Sequence, residues 1–409
     1  MNILTFTRLW PNAVEPNQAI FNEHRMRALA TLPGFSARTV APVPFYPPLP
    51  FPRRYAQLAR VPLCEVRHGL DVEHPRYPVL PKIGLRLQGA GLVAATWRLV
   101  AGHAARSAVD LIDAHFVYPD GWAAVEMGRR LGVPTLITAC GSDVYTAPNQ
   151  PGIRPLVQQA LAGATMLVAV SESLAQGLRD LGADPAKIRV IPYGIDGARF
   201  APDAAGRDAI RAQLGLGAGD RLVLAVGRLH PNKGHDLLIK AAARIGDPHV
   251  RFAIIGEGSE RANLEESIRR HGLEARVTLV GAIANERLVS WYSAADLFSL
   301  ASRAEGHPNV LIEALSCGTP AVATAVGAVP EMIVPSCGFL IRPHDVDALV
   351  LGIQAGLAAV RDSLWTRETV RAAVSRTWKD VAEETVAVFR ETVRRYQLSA
   401  LKPAFATPA

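Results

Sequence analysis

Cysteine is scarce in this chain of 409 residues: Cys64, Cys140, Cys317 and Cys337 lie far apart and form no C-x-x-C pair. That spacing signals neither a zinc site nor a disulfide framework, and it fits a reducing compartment. Long apolar runs are also missing. The chain opens Met1-Asn2-Ile3-Leu4-Thr5-Phe6, which reads as a buried first strand and not as a secretory signal. The apolar stretch 89–95, flanked by Arg86 and Arg98, is too short to span a bilayer. No dense basic cluster is interleaved with aromatics, so nucleic acid is not an expected partner. There is no G-x-S-x-G nucleophile turn, and no His/Asp/Glu cluster has zinc spacing, so no metal ligand is assigned.

What is present is a globular composition, 49% apolar and 20% charged, in a chain long enough for two domains. The net charge of +7 is uneven: residues 1–195 carry +6 and residues 196–409 carry +1. An acidic partner is therefore expected on the N-terminal half, such as a phosphorylated acceptor or an anionic membrane surface. Two features there fit either a membrane edge or ordinary packing, and the first also fits a lid over an acceptor. One is the Pro-rich segment 42–52, with Phe45, Tyr46, Leu49 and Phe51. The other is the basic helical stretch 82–107, starting at Lys82.

From residue 109 strands and helices alternate, with strands at 109–114, 134–138, 166–170 and 188–191. After a linker from Pro192 through the polar run to Arg207, a second alternation places strands at 221–226, 252–255, 277–279, 297–301 and 321–324. This predicts an α/β protein of two doubly wound, Rossmann-like parallel sheets facing across a cleft, with ligands outside the carboxyl ends of the strands. The expected domains are 1–195, 196–377 and a C-terminal helix and tail, 378–409, crossing back onto the first domain.

Four stretches carry chemistry. Gly227-Arg228-Leu229-His230-Pro231-Asn232-Lys233-Gly234 follows a strand; Arg228 can fork onto two phosphate oxygens and Lys233 adds a point charge. Gly256-Glu257-Gly258 resembles half a dinucleotide fingerprint, but Arg261 stands at the third Gly position. In Glu305-Gly306-His307-Pro308-Asn309-Val310-Leu311-Ile312-Glu313, a helix is predicted to start near Asn309, with N–H groups free for an anionic or hydroxyl-rich ligand and Glu313 buried further in. His115, at a strand's carboxyl end, can bond a sugar hydroxyl, and Gly141-Ser142-Asp143 supplies a polar turn nearby. Asp345-Val346-Asp347 reads as the first turn of a helix.

These motifs, with Ser171-Glu172 and Ile191-Pro192-Tyr193-Gly194-Ile195-Asp196, resemble the family 4 glycosyltransferases of GT-B architecture along nearly the whole chain. The resemblance implies a retaining, metal-independent sugar transferase without a cofactor. Its substrates would be a UDP- or GDP-sugar and a saccharide or polyprenyl-linked acceptor, met by residues 1–195. It also implies roles. Arg228 and Lys233 bind the diphosphate, Glu313 the ribose, and Glu305 and His115 flank the sugar. Gly227, Gly256, Glu257, Gly306, His307, Pro308, Asn309, Val310 and Leu311 complete the donor site, and Asp143 lies on the acceptor side. The turns at Pro119-Asp120-Gly121 and Gly141-Ser142-Asp143 look most like members that build bacterial surface polysaccharides, including the teichuronic-acid type. Such an enzyme is expected in the cytoplasm, with contact to the inner membrane face. The chain departs from the family in three places: Asn17-Gln18-Ala19 stands where relatives often carry two Gly, Cys140 where they have His, and Tyr193 where they have Asn. Two other readings fit the architecture, an NAD-dependent oxidoreductase and a non-catalytic nucleotide-sugar-binding protein.

Overall fold

The computed structural model describes residues 1–45, 57–79 and 84–401. Tyr46, Leu49, Phe51, Lys82 and the tail 402–409 lie outside these residues. The chain divides into two compact units, Met1–Gly194 with the C-terminal segment from Trp378, and Ile195–Thr377.

The first unit is built on β1 (Asn2–Phe6), β2 (Ser36–Val40), β3 (Val43–Phe45), β4 (Cys64–Arg67), β5 (Leu70–Glu73), β6 (Arg76–Pro78), β7 (Leu111–His115), β8 (Thr135–Ala139), β9 (Met166–Ala169) and β10 (Ile188–Val190). Eight of them form one sheet in the order β10-β9-β8-β7-β1-β2-β5-β4, in which only β4 runs antiparallel. β3 and β6 pair separately, which keeps Pro44 out of the main sheet. One face of the sheet is covered by helices including Gln88–Arg106 and Trp122–Leu131. The basic helical stretch is thus a domain helix, burying Leu92, Val93, Thr96 and Val100. On the other face Val381, Ala382, Val386 and Phe389 of Trp378–Leu401 pack among Ile3, Met26, Leu111, Leu136 and Met166. The last helix of the chain thereby completes the core of its first unit.

One element here was not expected from sequence. β4 and β5 are a hairpin closed by His68 and Gly69, both at positive φ (49° and 81°), the geometry of a two-residue turn whose twist matches the strands. The first helix starts at Ile20, because Ala19 takes φ 46°, ψ 43°, the left-handed conformation that a glycine adopts without strain.

The second unit contains β11 (Arg221–Val226), β12 (Val250–Ile255), β13 (Val277–Gly281), β14 (Leu297–Leu300), β15 (Ala321–Thr324) and β16 (Gly338–Ile341). All pairings are parallel, in the order β13-β12-β11-β14-β15-β16. Numbered within the unit, that is 3-2-1-4-5-6, and the order reverses between β11 and β14. The polar run read as linker corrects to a helix, Ala204–Gln213. Asp203 caps it by accepting from the Gly206 N–H at 2.9 Å, and Arg207 and Arg211 each reach Asp296 at 3.0 Å. Asp345 likewise caps Val346–Arg361 by accepting from Ala348 N–H at 2.8 Å. Among the described residues no helix is long and apolar enough to cross a membrane.

Candidate active site

A sheet of this order opens a crevice where the helices on either side of the reversal part, outside the carboxyl ends of β11 and β14. Both loops that leave those ends carry predicted site residues. Beyond β11, Gly227 and Arg228 lead into a short 3-10 turn, Pro231–Lys233, and Gly234 at φ 65°. A side chain at Gly234 would put its Cβ 1.9 Å from the carbonyl oxygen of Ala301, just past β14, so the two loops touch backbone to backbone. Arg303 fastens them further. Its N–H donates to Asn232 O at 2.7 Å, and its guanidinium forks onto both oxygens of Asp236 at 2.9 Å each.

Lys233 and Glu305 meet across this seam. Lys233 Nζ lies 2.7 Å from Glu305 Oε1, which also accepts from Ser302 Oγ at 2.6 Å. The lysine side chain is 26% exposed and the glutamate side chain 7%. Gly327 backs Glu305 from the loop after β15; at φ 53° its Cβ would fall 1.8 Å from Glu305 O. Arg228 is exposed and pairs with no carboxylate among the described residues. The turn therefore presents one engaged cation and one open one.

The Gly256-Glu257-Gly258 segment supports this turn. A Cβ at Gly256 (φ 146°) would lie 1.9 Å from Gly227 O, and one at Gly258 2.3 Å from Leu229 O. Leu229 N–H donates to Glu257 O, and Glu260 N–H to Leu229 O, both at 3.0 Å. The glycines are thus explained by loop-on-loop packing and not by a pyrophosphate of NAD. The Glu257 side chain is exposed and pairs with Arg261 at 2.8 Å. Below the turn, His235 is 6% exposed with a buried Nε2 that has no hydrogen-bond partner, and burial pushes its pKa down to about 4.

The helix after β14 begins at Asn309, one residue beyond Pro308, which offers no side-chain cap. Leu311 N–H donates to Pro308 O at 3.0 Å, and among the described residues the N–H groups of Asn309 and Val310 make no such bond and are open to a ligand. Gly306, His307, Asn309 and Val310 are half-buried around that start. Burial and the charge of Arg376 push His307 down to about 4, leaving a neutral imidazole. Leu311 is a correction: its side chain is fully buried in the core and serves packing. Glu313 is 7% exposed and accepts from the Tyr292 hydroxyl at 2.7 Å; burial pushes its carboxyl above the usual range. Tyr292, Ser302, Arg303 and Asp236 were not singled out in the sequence. A tyrosine or arginine in a helical or loop context gives no signal of the carboxylate it will meet.

In the first unit the order reverses between β1 and β7. His115 ends β7, but it is 1% exposed: Nε2 lies 3.3 Å from Asp113 Oδ2, Asp113 also holds Arg25 at 2.7 Å, and burial lowers the imidazole pKa. It is a fixed imidazole whose buried Nδ1 has no hydrogen-bond partner among the described residues. Phe116 follows at φ 84°, a conformation L residues rarely take, and Arg8 from the end of β1 forks onto Asp120 through its N–H (2.6 Å) and Nε (3.0 Å). Asp143 is fully buried and accepts from the N–H groups of Val117 (2.9 Å), Cys140 (3.1 Å) and Gly141 (2.7 Å). It braces two loops, and its carboxylate is not presented to an acceptor. Among the described residues no three His, Cys, Asp or Glu gather in a way that could hold a metal ion.

Comparisons with known proteins agree with this arrangement. Residues 43–199 match glycosyltransferase family 4, and residues 206–359 match the glycosyl transferases group 1. A Bacillus subtilis protein named as a teichuronic acid biosynthesis glycosyltransferase, TuaC, is 30% identical over 387 residues, covering 91% of this chain and 94% of its own. A D-inositol 3-phosphate glycosyltransferase of Xylanimonas cellulosilytica is 31% identical over 366 residues, covering 84% and 87%. Among solved structures, sucrose-phosphate synthase from Thermosynechococcus elongatus superposes with a TM-score of 0.78 at 24% identity, over 95% of this chain and 98% of the other. Anabaena HepE in complex with UDP gives 0.74 at 22% identity, over 96% and 100%. With both family models matching in order and a relative matching along its length, the chain belongs to the family 4 glycosyltransferases of GT-B fold and is a glycosyl-transferring enzyme.

Proposed function

We propose that this enzyme moves a sugar from a nucleoside diphosphate donor to a saccharide or polyprenyl-linked saccharide in surface polysaccharide synthesis. The observation that carries the reading is the glycine-bounded turn at the β11/β14 reversal, where, among the described residues, Arg228 pairs with no carboxylate and Lys233 is held by Glu305. A diphosphate entering there meets two cations and the open start of Asn309–Ser316. Glu313, deeper in that helix, takes the ribose hydroxyls, and Glu305 marks the sugar. HepE carries UDP in its solved complex, and TuaC is named for teichuronic acid synthesis; both support a nucleotide-sugar donor and a surface polysaccharide product.

As the bond to the sugar breaks, negative charge grows on the leaving diphosphate. Arg228 and Lys233 stabilise it without a metal. The acceptor hydroxyl adds from the same face and its proton passes to the leaving phosphate, so configuration is retained. The first unit receives the acceptor. The +6 excess of residues 1–195 and the exposed Phe45 suit a lipid-linked saccharide at the inner face of the cell membrane.

Turnover with a panel of UDP- and GDP-sugars tests the donor site: Lys233→Ala and Glu305→Ala lose activity, and near-normal rates for both would remove the assignment. Flotation with anionic vesicles tests the membrane contact, which is refuted by absence of binding at low salt. Product stereochemistry by NMR tests retention.

A further inference from the structure

At the strand ends of the first unit, His115 lies against Asp113, and the Asp143 carboxylate accepts from backbone N–H groups. Arg8 stands in the same place and keeps donors to spare. It leaves β1 at the carboxyl end, where the order of the sheet reverses between β1 and β7, and so lies at that unit's own crevice.

The residue is held from several sides. Thr7 N–H donates to Val40 O at 3.1 Å, Thr7 Oγ to His115 O at 3.2 Å, and Leu9 N–H to Thr7 Oγ at 3.0 Å, which fixes the backbone around Arg8. Asp120 is fully buried; one oxygen accepts the Arg8 N–H at 2.6 Å and the other accepts Nε at 3.0 Å. Nη1 donates at 3.2 Å to the hydroxyl of Tyr77, which is 1% exposed on β6. Nη2 has no partner among the described residues, and the side chain is 19% exposed. The counter-charge therefore lies inside and the unused donors lie at the surface. Neutralising Asp120 occupies the Nε side of the guanidinium alone. A guanidinium already fixed in this way loses little freedom on binding, and its planar end matches a carboxylate or a phosphate.

We propose that Arg8 is an acceptor-binding residue whose Nη2 donates to an anionic oxygen of the acceptor, either a uronate carboxylate or a phosphate of a lipid-linked saccharide. The enzyme then selects charged acceptors over neutral ones. The inference rests on the reading that the first unit receives the acceptor. The +6 carried by residues 1–195 favours the same kind of partner. Asp120 and Tyr77 act through Arg8, as positioning residues.

The test is transfer by the full-length enzyme, from whichever UDP- or GDP-sugar it hydrolyses, to three probes: octyl glucoside, octyl glucuronide and farnesyl diphosphate-linked N-acetylglucosamine. Wild type uses one charged probe at least about tenfold better in kcat/KM than octyl glucoside, and which one it uses separates carboxylate from phosphate. Arg8→Ala loses about 10–100-fold in kcat/KM on that probe, chiefly through KM, and little on octyl glucoside. Its affinity for UDP and GDP stays that of wild type. Tyr77→Phe, which loosens the guanidinium, raises KM for the charged probe by a smaller factor. Arg8→Ala leaves Asp120 buried without its cation; if its thermal melt falls, the double variant Arg8→Ala/Asp120→Asn carries the comparison. Equal losses on charged and neutral probes, or no loss, overturn the assignment. So does a wild type that prefers the neutral probe or uses none of the three. Weaker UDP or GDP binding by Arg8→Ala places the residue on the donor and overturns it as well. A wild type that hydrolyses no nucleotide sugar overturns the donor reading, and this inference with it.

Discussion

Glu305→Gln should move two properties of the enzyme in opposite directions. In the ligand-free protein Lys233 Nζ lies 2.7 Å from Glu305 Oε1, so the cation assigned to the diphosphate is engaged by a carboxylate. Glutamine keeps the shape and an oxygen able to accept from Ser302 Oγ, now 2.6 Å away. What it removes is the charge. At this separation, with an effective dielectric of about 20, the bare attraction is roughly 6 kcal/mol. The 26% exposure of the lysine side chain and the desolvation of a glutamate only 7% exposed offset most of it. A net coupling of about 1–2 kcal/mol remains. That corresponds to a factor of about 5–30 in an equilibrium constant.

A nucleoside diphosphate without its sugar should therefore bind Glu305→Gln about 5–30-fold more tightly than wild type, because Lys233 no longer has to leave a carboxylate. Turnover with the complete donor should fall by about 10²–10³, the cost of losing one group fixed at the reacting centre. Calorimetry of UDP and GDP gives the first quantity, and continuous detection of released nucleotide gives the second. Unchanged or weaker diphosphate binding together with normal turnover would refute the idea that a ligand displaces the Lys233–Glu305 contact.

Two further outcomes follow from packing and burial. Gly256→Ala forces a Cβ to within 1.9 Å of Gly227 O at φ 146°; stability should fall by about 1–3 kcal/mol in denaturant melts, and KM for the donor should rise as the diphosphate turn is displaced. His235, held at a pKa of about 4 against an ordinary 6.5, contributes stability that is complete above pH 6.5 and lost as pH falls to 4, because the unfolded chain takes up the proton first. The loss reaches about 3 kcal/mol, and His235→Leu should flatten that part of the urea-midpoint profile; an unchanged profile would show that His235 titrates normally.

Much of the fold was legible because burial on both sides of a parallel sheet leaves apolar runs such as 221–226 and 252–255, separated by helical spacing. The positions of Arg228, Lys233, Glu305 and Glu313 were legible because their runs end at strand ends or at a Gly/Pro turn. Other features were hidden for specific reasons. The β4–β5 hairpin is short and polar, and only His68-Gly69 marks it. The helix Ala204–Gln213 buries a single large apolar side chain, Ile210, so its period is faint. The resemblance put Leu311 in the donor site, but a helix turns about 100° per residue, and its side chain points into the core. Asp143 and His115 follow strand ends as predicted, yet backbone N–H groups, that of Val117 26 residues away, and Asp113 claim them.

The claim beneath all of this is that the turn beginning at Gly227 receives a diphosphate. The direct measurement is calorimetric titration of UDP, GDP and the corresponding nucleosides into wild type and Arg228→Ala. Wild type should bind at least one diphosphate far more tightly than its nucleoside, and Arg228→Ala should lose about tenfold or more of that difference. A variant that binds the diphosphate as wild type does, or a wild type that binds nucleoside and diphosphate alike, would contradict it.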